Sequence, residues 1–133
     1  MIHEMVKAAL LEDVGSGDIT AELIPLEKKC SAQVITRESA IICGIEWVNE
    51  AFKQVDEKIV VIWQVKDGDH VAANIILFKV EGLARSILTA ERTALNFLQL
   101  LSGTATSTSH YVEKIKHTQT KLLDTRKTLP LYR

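Results

Sequence analysis

Ser86 to Thr106 read SILTAERTALNFLQLLSGTAT, a run dominated by good helix formers such as Ala, Leu, Glu, Gln and Arg. The spacing predicts a helix with apolar residues along one face, namely Ile87, Ala94, Leu98 and Leu101. A polar stripe follows a second face, formed by Arg92, Asn96, Gln99 and Gly103. Because Leu88 and Leu95 flank that stripe, the helix is apolar almost all round, and we expect it to be buried.

Arg92 is the charged member of a stripe that is otherwise built from neutral residues. An arginine held among apolar side chains needs an anion, because burying an unpaired charge is costly. That anion is either a carboxylate of the protein, such as Glu91 or an acid elsewhere in the chain, or a carboxylate of a ligand. The spacing leaves a structural ion pair and a ligand-binding role for Arg92 both open.

The composition bounds the class of protein. With 133 residues, 47% of them hydrophobic and 25% charged, the chain predicts one small folded domain with a real core and excludes a disordered chain. The net charge of −1 gives no basis for a nucleic-acid partner. Cys30 and Cys43 do not have metal-ligand spacing, and no secretory signal or apolar run of membrane-spanning length occurs. We therefore expect a soluble cytoplasmic protein with no membrane partner.

The segments before residue 86 alternate between helical and strand patterns. Helical spacing predicts an amphipathic helix over the first dozen residues and a short helix over Trp47–Val55. Runs rich in β-branched residues predict strands over Ser31–Gly44, as a strand pair or one bent strand, and over Val60–Val65 and Ile75–Val80. The expected fold class is α+β, with an antiparallel sheet packed by helices.

Glycine-containing stretches mark the expected turns. Leu11–Thr20 (LEDVGSGDIT) lacks both the Ca²⁺-loop pattern and the Lys-Ser/Thr ending of a phosphate loop, so we interpret it as a structural turn. Asp67-Gly68-Asp69 predicts another turn. Gly82 is expected to end the strand Ile75–Val80 before the long helix begins. Asp67–Gly82 resembles half of a biotinyl/lipoyl-type barrel-sandwich, but no lysine stands at a hairpin tip, so a cofactor-carrier role is not supported.

The end of the chain carries a second candidate site. Ser102-Gly103-Thr104 is expected to close one helix and cap a second, over about Thr106–Lys116. Lys121–Asp124 is a short apolar run that predicts one buried strand, and Thr125-Arg126-Lys127-Thr128 follows it. Two cations between two hydroxyls suit a carboxylate or phosphate, although a solvated basic turn has the same composition.

Four stretches, in order, closely resemble motifs of quinolinate phosphoribosyltransferase, the carboxylating nicotinate-nucleotide pyrophosphorylase of de novo NAD synthesis. They are Glu12–Thr20 (EDVGSGDIT), Ala90–Gln99 (AERTALNFLQ), Ser102–Thr106 (SGTAT) and Leu123–Pro130 (LDTRKTLP). The resemblance runs along essentially the whole chain. These stretches form three ordered motifs, because Ala90–Gln99 and Ser102–Thr106 belong to one, and three motifs are more specific than the Asp-Thr-Arg-Lys-Thr match alone.

The resemblance implies a fold in two parts. Residues 1–116 would form a mixed α/β N-terminal domain of barrel-sandwich or hammerhead-like kind. Residues 117–133 would begin an α/β barrel whose first strand is Lys121–Asp124 and which is otherwise almost entirely missing. Because a single strand has no barrel neighbours to pair with, we expect the tail beyond about His117 to be mobile or to contact another chain.

The resemblance also implies a reaction and a site. Quinolinate and phosphoribosyl pyrophosphate, with Mg²⁺, would give nicotinate mononucleotide, pyrophosphate and carbon dioxide. The family works as a homodimer or an assembly of dimers whose active sites are shared between subunits. Arg92 would reach a quinolinate carboxylate from the neighbouring subunit, and Thr125, Arg126 and Lys127 would line the same pocket from the barrel side. The resemblance assigns no catalytic residue and no metal ligand within these residues.

Two departures from the family pattern qualify this prediction. The family usually continues with Pro-Gly-Leu-Arg, whereas this chain has Pro130-Leu131-Tyr132-Arg133. The His-Arg pair, further Lys and acidic residues of the family barrel have no counterpart here, so we expect the 133 residues alone to be inactive. Two alternatives stay open: a paralogous phosphoribosyltransferase that takes a different acid, and a non-catalytic dimerisation module.

Overall fold

The computed structural model describes residues 1–15, 17, 21 and 23–125. Its helices are α1 (Ile2–Val14), α2 (Ile45–Val55) and α3 (Ala84–Ile115). Its strands are β1 (Lys29–Ile35), β2 (Ala40–Ile41), β3 (Val60–Trp63), β4 (His70–Val71) and β5 (Ile76–Leu83). The predicted α+β class with an antiparallel sheet is confirmed.

The main sheet has the strand order β1-β5-β3, and both pairings are antiparallel. Phe78 of β5 is fully buried and lies opposite Val34 on one side and Trp63 on the other. The predicted strand pair in Ser31–Gly44 is present as β1 and β2, but these strands do not pair with each other. Instead β2 pairs with β4 in a separate two-stranded sheet, so the Arg37-Glu38-Ser39 turn connects two sheets.

The core lies between the main sheet, α2 and the inner face of α3. Phe78 packs against Trp63 with ring centroids 4.4 Å apart and meets Phe52 of α2 edge-on at 6.3 Å. Trp47 of α2 stacks on Phe97 of α3 at 4.8 Å. Aromatic pairs at these distances add to the free energy of burial, so they tie both helices to each other and to the sheet.

The predicted turn at Asp67-Gly68-Asp69 is confirmed, and it also caps a helix. Gly68 has φ of 92°, and Asp69 closes the turn by accepting a hydrogen bond from the Lys66 amide at 2.8 Å. Asp67 Oδ1 accepts hydrogen bonds from the amides of Gly44 and Ile45 at 2.9 and 3.2 Å. These donors stand at the start of α2, so a distant carboxylate supplies the cap that the helix lacks locally.

The predicted break at Ser102-Gly103-Thr104 is wrong, because α3 is one continuous helix of 32 residues. Local hydroxyls bond back to the helix itself, as Thr106 does to the Ser102 carbonyl at 2.7 Å. Tertiary contacts also hold this region: Ser102 bonds both the amide and the carbonyl of Cys43, and Thr106 accepts from the Ile41 amide. These hydrogen bonds to the backbone of Ile41 and Cys43 therefore stabilise α3 at the residues where local propensity predicted that the helix would end.

The prediction that this helix is buried all round is also wrong. Its inner face is buried, but the polar stripe of Arg92, Asn96, Gln99 and Gly103 is exposed. Leu88 and Leu100, on the outer side, are 41% and 52% exposed. The reason is that α1, α2 and the sheets cover one side of α3 in the described part of the chain.

Lys121–Asp124 is not the predicted buried strand. These residues have no regular secondary structure, and Leu122 and Leu123 are 50% and 76% exposed. A strand needs neighbours to satisfy its backbone hydrogen bonds, and no described residue pairs with this one. Leu122 borders a cavity of about 530 Å³ together with Leu100, Gly103 and Thr104, so the chain after α3 returns along the outer face of that helix.

We expect Gly103→Ala to raise the free energy of unfolding by about 1 kcal/mol, because Ala removes backbone freedom that Gly loses on helix formation. A Cβ at residue 103 would meet nothing within 4 Å. Urea unfolding of the chain measures this change. Gly44→Ala is the opposite control, since Gly44 has φ of +117° and its Cβ would lie 3.0 Å from Leu101; it should destabilise the fold. A destabilised Gly103→Ala variant would contradict a continuous α3.

Candidate functional site

Arg92 lies on the outer face of α3 and its side chain is 73% exposed. Its Nη1 donates a hydrogen bond to Asp13 Oδ1 at 2.9 Å, across 79 positions of the sequence. The Asp13 side chain, in the last turn of α1, is 23% exposed. Of the anions considered for Arg92, the structure therefore provides a protein carboxylate, and it is Asp13 rather than Glu91. The remaining exposure leaves the guanidinium accessible from outside the domain.

Asp13 is held at the end of α1 by the way that helix stops. The helix ends at Val14, and Gly15, with φ of 54°, returns its amide to the Leu11 carbonyl at 3.1 Å. A carboxylate at a helix C-terminus faces the negative end of the helix dipole, and the last turn of α1 contains no basic residue. Arg92 supplies the missing cation from α3. The Asp13–Arg92 pair therefore joins the end of α1 to the outer face of α3.

A cavity of about 340 Å³ lies beside this pair, between α1 and α3. Its described lining includes the carboxylates Glu12 and Asp13, with Thr93, Asn96 and Phe97, but no Lys, Arg or His side chain. A dianionic ligand would be repelled by these two acids. The lining of this cavity therefore does not suit a dianion, and Arg92 lies outside that lining.

The other predicted site residues lie at or beyond the end of the described chain. Thr125 is exposed and outside any helix or strand, while Arg126 and Lys127 lie outside the described residues. The described structure therefore contains one of these three residues, Thr125. Leu122, three residues before Thr125, borders one cavity with Gln99 and Gly103, which belong to the same exposed stripe of α3 as Arg92.

Clusters of metal-ligating side chains and cysteine thiols are two further kinds of candidate group in the part of the chain that the structure describes. No three His, Cys, Asp or Glu side chains there come close enough together to hold a metal ion. Cys30 and Cys43 are both free thiols. Burial, with a smaller contribution from the Asp67 charge, raises the pKa of the Cys43 thiol, which keeps it protonated near neutral pH.

Pattern reading missed a polar cluster that joins α1 to α2. His3 Nδ1 lies 2.7 Å from Glu50 Oε1, and Gln54 donates to Glu50 Oε1 at 2.8 Å and to the His3 carbonyl at 2.9 Å. Hydrogen bonds from Gln54, and then from His3, lower the pKa of the Glu50 carboxyl. The cluster borders a cavity of about 730 Å³. The spacing of Glu50 and Gln54 on one helix was visible in the sequence, but the approach of His3 was not.

We expect the contribution of Glu50 to the free energy of unfolding to be lost at acid pH. Because the Glu50 pKa is lowered on folding, its contribution is complete above the ordinary value of 4.5 and disappears as the pH falls through the lower folded-state pKa. Glu50→Gln should therefore cost roughly 1 kcal/mol at neutral pH and little at low pH. Urea unfolding between pH 7 and pH 3 measures this difference. Glu46→Gln, on the same helix, is the control, and an equal pH dependence in both variants would contradict the assignment.

Comparison with known proteins decides the family. Residues 18–102, more than half of the chain, match the family model "Quinolinate phosphoribosyl transferase, N-terminal domain". This chain belongs to that family. The match contains Arg92 and ends before Thr125, so it covers the first of the two predicted basic sites. The family resemblance predicted from the motifs is confirmed.

Solved structures of the quinolinate phosphoribosyl transferase family share the fold of this chain. The nicotinate-nucleotide pyrophosphorylase from Francisella tularensis is 48% identical with a TM-score of 0.93, and the match covers 97% of this chain and 46% of that one. A Streptococcus pyogenes structure is 35% identical with a TM-score of 0.93, over 98% of this chain and 47% of that one. The mixed α/β fold of the described residues is therefore that of the family's N-terminal half.

Curated relatives agree with this assignment and are much longer. A mitochondrial quinolinate phosphoribosyltransferase (decarboxylating) of Nicotiana tabacum is 40% identical over 131 residues, which is 97% of this chain and 37% of that protein. A Bacillus subtilis relative is 35% identical over 129 residues, and the match covers 45% of its length. The chain thus spans less than half the length of these curated relatives. Among the described residues, no helix has the length and apolarity needed to cross a membrane.

Proposed function

We propose that this chain forms the N-terminal part of a quinolinate phosphoribosyltransferase that acts in de novo NAD biosynthesis in the cytoplasm. The proposed reaction joins quinolinate to phosphoribosyl pyrophosphate and gives nicotinate mononucleotide, pyrophosphate and carbon dioxide. The family match, which includes the part of α3 that presents the exposed Arg92, carries the proposal. The relatives from Francisella tularensis and Nicotiana tabacum bear the names of this activity.

The chemistry explains why an exposed arginine suits this substrate. Quinolinate carries two carboxylates, and the planar fork of a guanidinium matches a carboxylate in a bidentate geometry. In the reaction the ring nitrogen forms a bond to the ribose and pyrophosphate leaves. The quaternised ring then accepts the electron pair released as carbon dioxide departs. A proton bonds to the ring carbon that carried the lost carboxylate. In this proposal Arg92 neutralises and orients one carboxylate of quinolinate while the ring reacts.

Mg²⁺ belongs to the proposal as the partner of phosphoribosyl pyrophosphate. When bound there, it offsets negative charge on the pyrophosphate that leaves. Thr125, Arg126 and Lys127 are proposed to line the quinolinate pocket from the barrel side, so both substrates would meet converging cations.

The proposed assembly is a homodimer whose active sites are shared between subunits. Residues 1–116 would form the N-terminal domain, and residues 117–133 would begin the barrel. Arg92 would then serve the site of the neighbouring subunit, and its position on the outer face of α3 supports this arrangement. The last turns of the same helix also leave large apolar side chains exposed, with Tyr111 at 62% and Val112 at 45%. An apolar surface of this kind favours contact with another chain.

We expect residues 1–133 alone to release no carbon dioxide from carboxyl-labelled quinolinate with phosphoribosyl pyrophosphate and Mg²⁺. A fusion of these residues to the part of the Francisella tularensis enzyme that they do not cover should release it, because the fold of the covered half is shared. Turnover by residues 1–133 alone would contradict the proposed division of the site. Product formed by the fusion from nicotinate but not quinolinate would favour a paralogous phosphoribosyltransferase. Self-association without turnover would favour a dimerisation module.

In that fusion, Arg92→Met should raise the KM for quinolinate about 10- to 100-fold, because a charge-assisted contact to a carboxylate is lost. Arg92→Lys should keep the charge but lose the fork, and its KM should lie between those of the parent and Arg92→Met. Lys53→Met removes an exposed cation from α2 and controls for general loss of positive charge. Initial rates at varied quinolinate measure these effects. An unchanged KM in Arg92→Met would contradict the assigned role.

A further inference from the structure

The Arg92 side chain needs a restraint if it is to bind a ligand well. A long side chain that is 73% exposed samples many rotamers, and a ligand that orders it must overcome that loss of freedom. The hydrogen bond from Nη1 to Asp13 at 2.9 Å restricts this motion. Because the guanidinium is planar and its five donors form a fixed fork, a carboxylate bound at Nη1 restricts the orientations that the whole plane can take.

Asp13 is the better fixed member of the pair. Its side chain is 23% exposed, and it stands on a helix whose end is held by the Gly15 amide. A carboxylate in the last turn of a helix opposes the helix dipole, so Asp13 does not benefit its own helix. Its carboxylate instead accepts a hydrogen bond from Arg92, on a different helix. The arrangement therefore anchors the guanidinium at the expense of α1.

We infer that Asp13 is a positioning residue that holds the Arg92 guanidinium in the orientation that receives a substrate carboxylate. Asp13 itself does not touch the substrate, because its carboxylate would repel the carboxylate of the substrate. The inference rests on the function proposed above and adds to it a residue from α1. It links the Glu-Asp pair of the early motif to the arginine of the long helix, which the structure brings within hydrogen-bonding distance.

Glu12 provides a matched control for Asp13. It precedes Asp13 in the same turn of α1 and carries the same charge, also at the negative end of the helix dipole. Replacing either acid by alanine removes one carboxylate from this helix end and changes helix propensity in the same direction. An effect that arises from the stability of α1 or from net charge would therefore appear in both variants. An effect that arises from holding Arg92 would appear in Asp13→Ala alone.

The kinetic test uses the fusion described above. Asp13→Ala should raise the KM for quinolinate roughly two- to tenfold, the range expected for ordering one long side chain on binding, with kcat changed less than twofold. Asp13→Asn keeps a hydrogen-bond acceptor and should recover part of that loss. Glu12→Ala should change the KM less than twofold. Equal KM values for Asp13→Ala and the parent, or equal increases in Asp13→Ala and Glu12→Ala, would overturn the inference.

A second test needs no turnover. In residues 1–133, urea unfolding of Asp13→Ala, Arg92→Met and the double variant measures whether the two sites are coupled. The product of the single-variant changes in the unfolding equilibrium constant should differ from the double-variant change by about 1.5- to fivefold, the range for an exposed ion pair. Simple multiplication of the single effects would overturn the inference.

The two tests separate this inference from the proposed function. A fusion that turns over quinolinate and depends on Arg92, but not on Asp13, would sustain the proposed function and overturn the positioning role. A fusion that turns over neither quinolinate nor nicotinate would count against the proposed function. In that event the coupling measured in residues 1–133 decides whether Asp13 holds Arg92.

Discussion

The structure depends on the burial of the inner face of α3 against α2 and β5. Phe78, Ala90 and Ala94 are fully buried at or near this contact, and the Trp47–Phe97 pair extends it along the helix. Because one face of α3 is fixed in this way, its opposite face is a rigid surface with a defined orientation. Arg92 is carried on that surface, and rigid elements position functional groups more accurately than loops do.

The Asp13–Arg92 pair gives this surface its electrostatic character. An exposed ion pair contributes little to stability, so its value lies in the direction it imposes on the guanidinium. Two carboxylates, those of Glu12 and Asp13, border the adjacent cavity and would repel an anion between α1 and α3. The long tail after α3 returns along the same face, as the position of Leu122 shows. Both features are consistent with a site completed from outside this domain.

Hydrophobic periodicity predicted the elements well where local pattern and packing agree. The short helix expected over Trp47–Val55 appears as α2, and the strand expected over Val60–Val65 appears as β3. Three expectations were wrong for a common reason. The break near Gly103, the burial of α3 all round and the strand at Lys121–Asp124 each depended on which groups lie nearby in space. Hydroxyls of Ser102 and Thr106 hold backbone of the β2 segment, and no local propensity reports such a contact.

The sequence by itself determined the α+β class and the family, and it singled out Arg92 on α3 as a candidate binding residue. These follow from the spacing of apolar residues and from motifs that are local in the chain. Only the tertiary structure decided that Asp13 is the partner of Arg92, that Asp67 caps α2 and that α3 continues through Gly103. The first two features are contacts between residues far apart in the sequence, and the third depends on such contacts. Their distances are set by how the helices and sheets pack together, which no local pattern encodes.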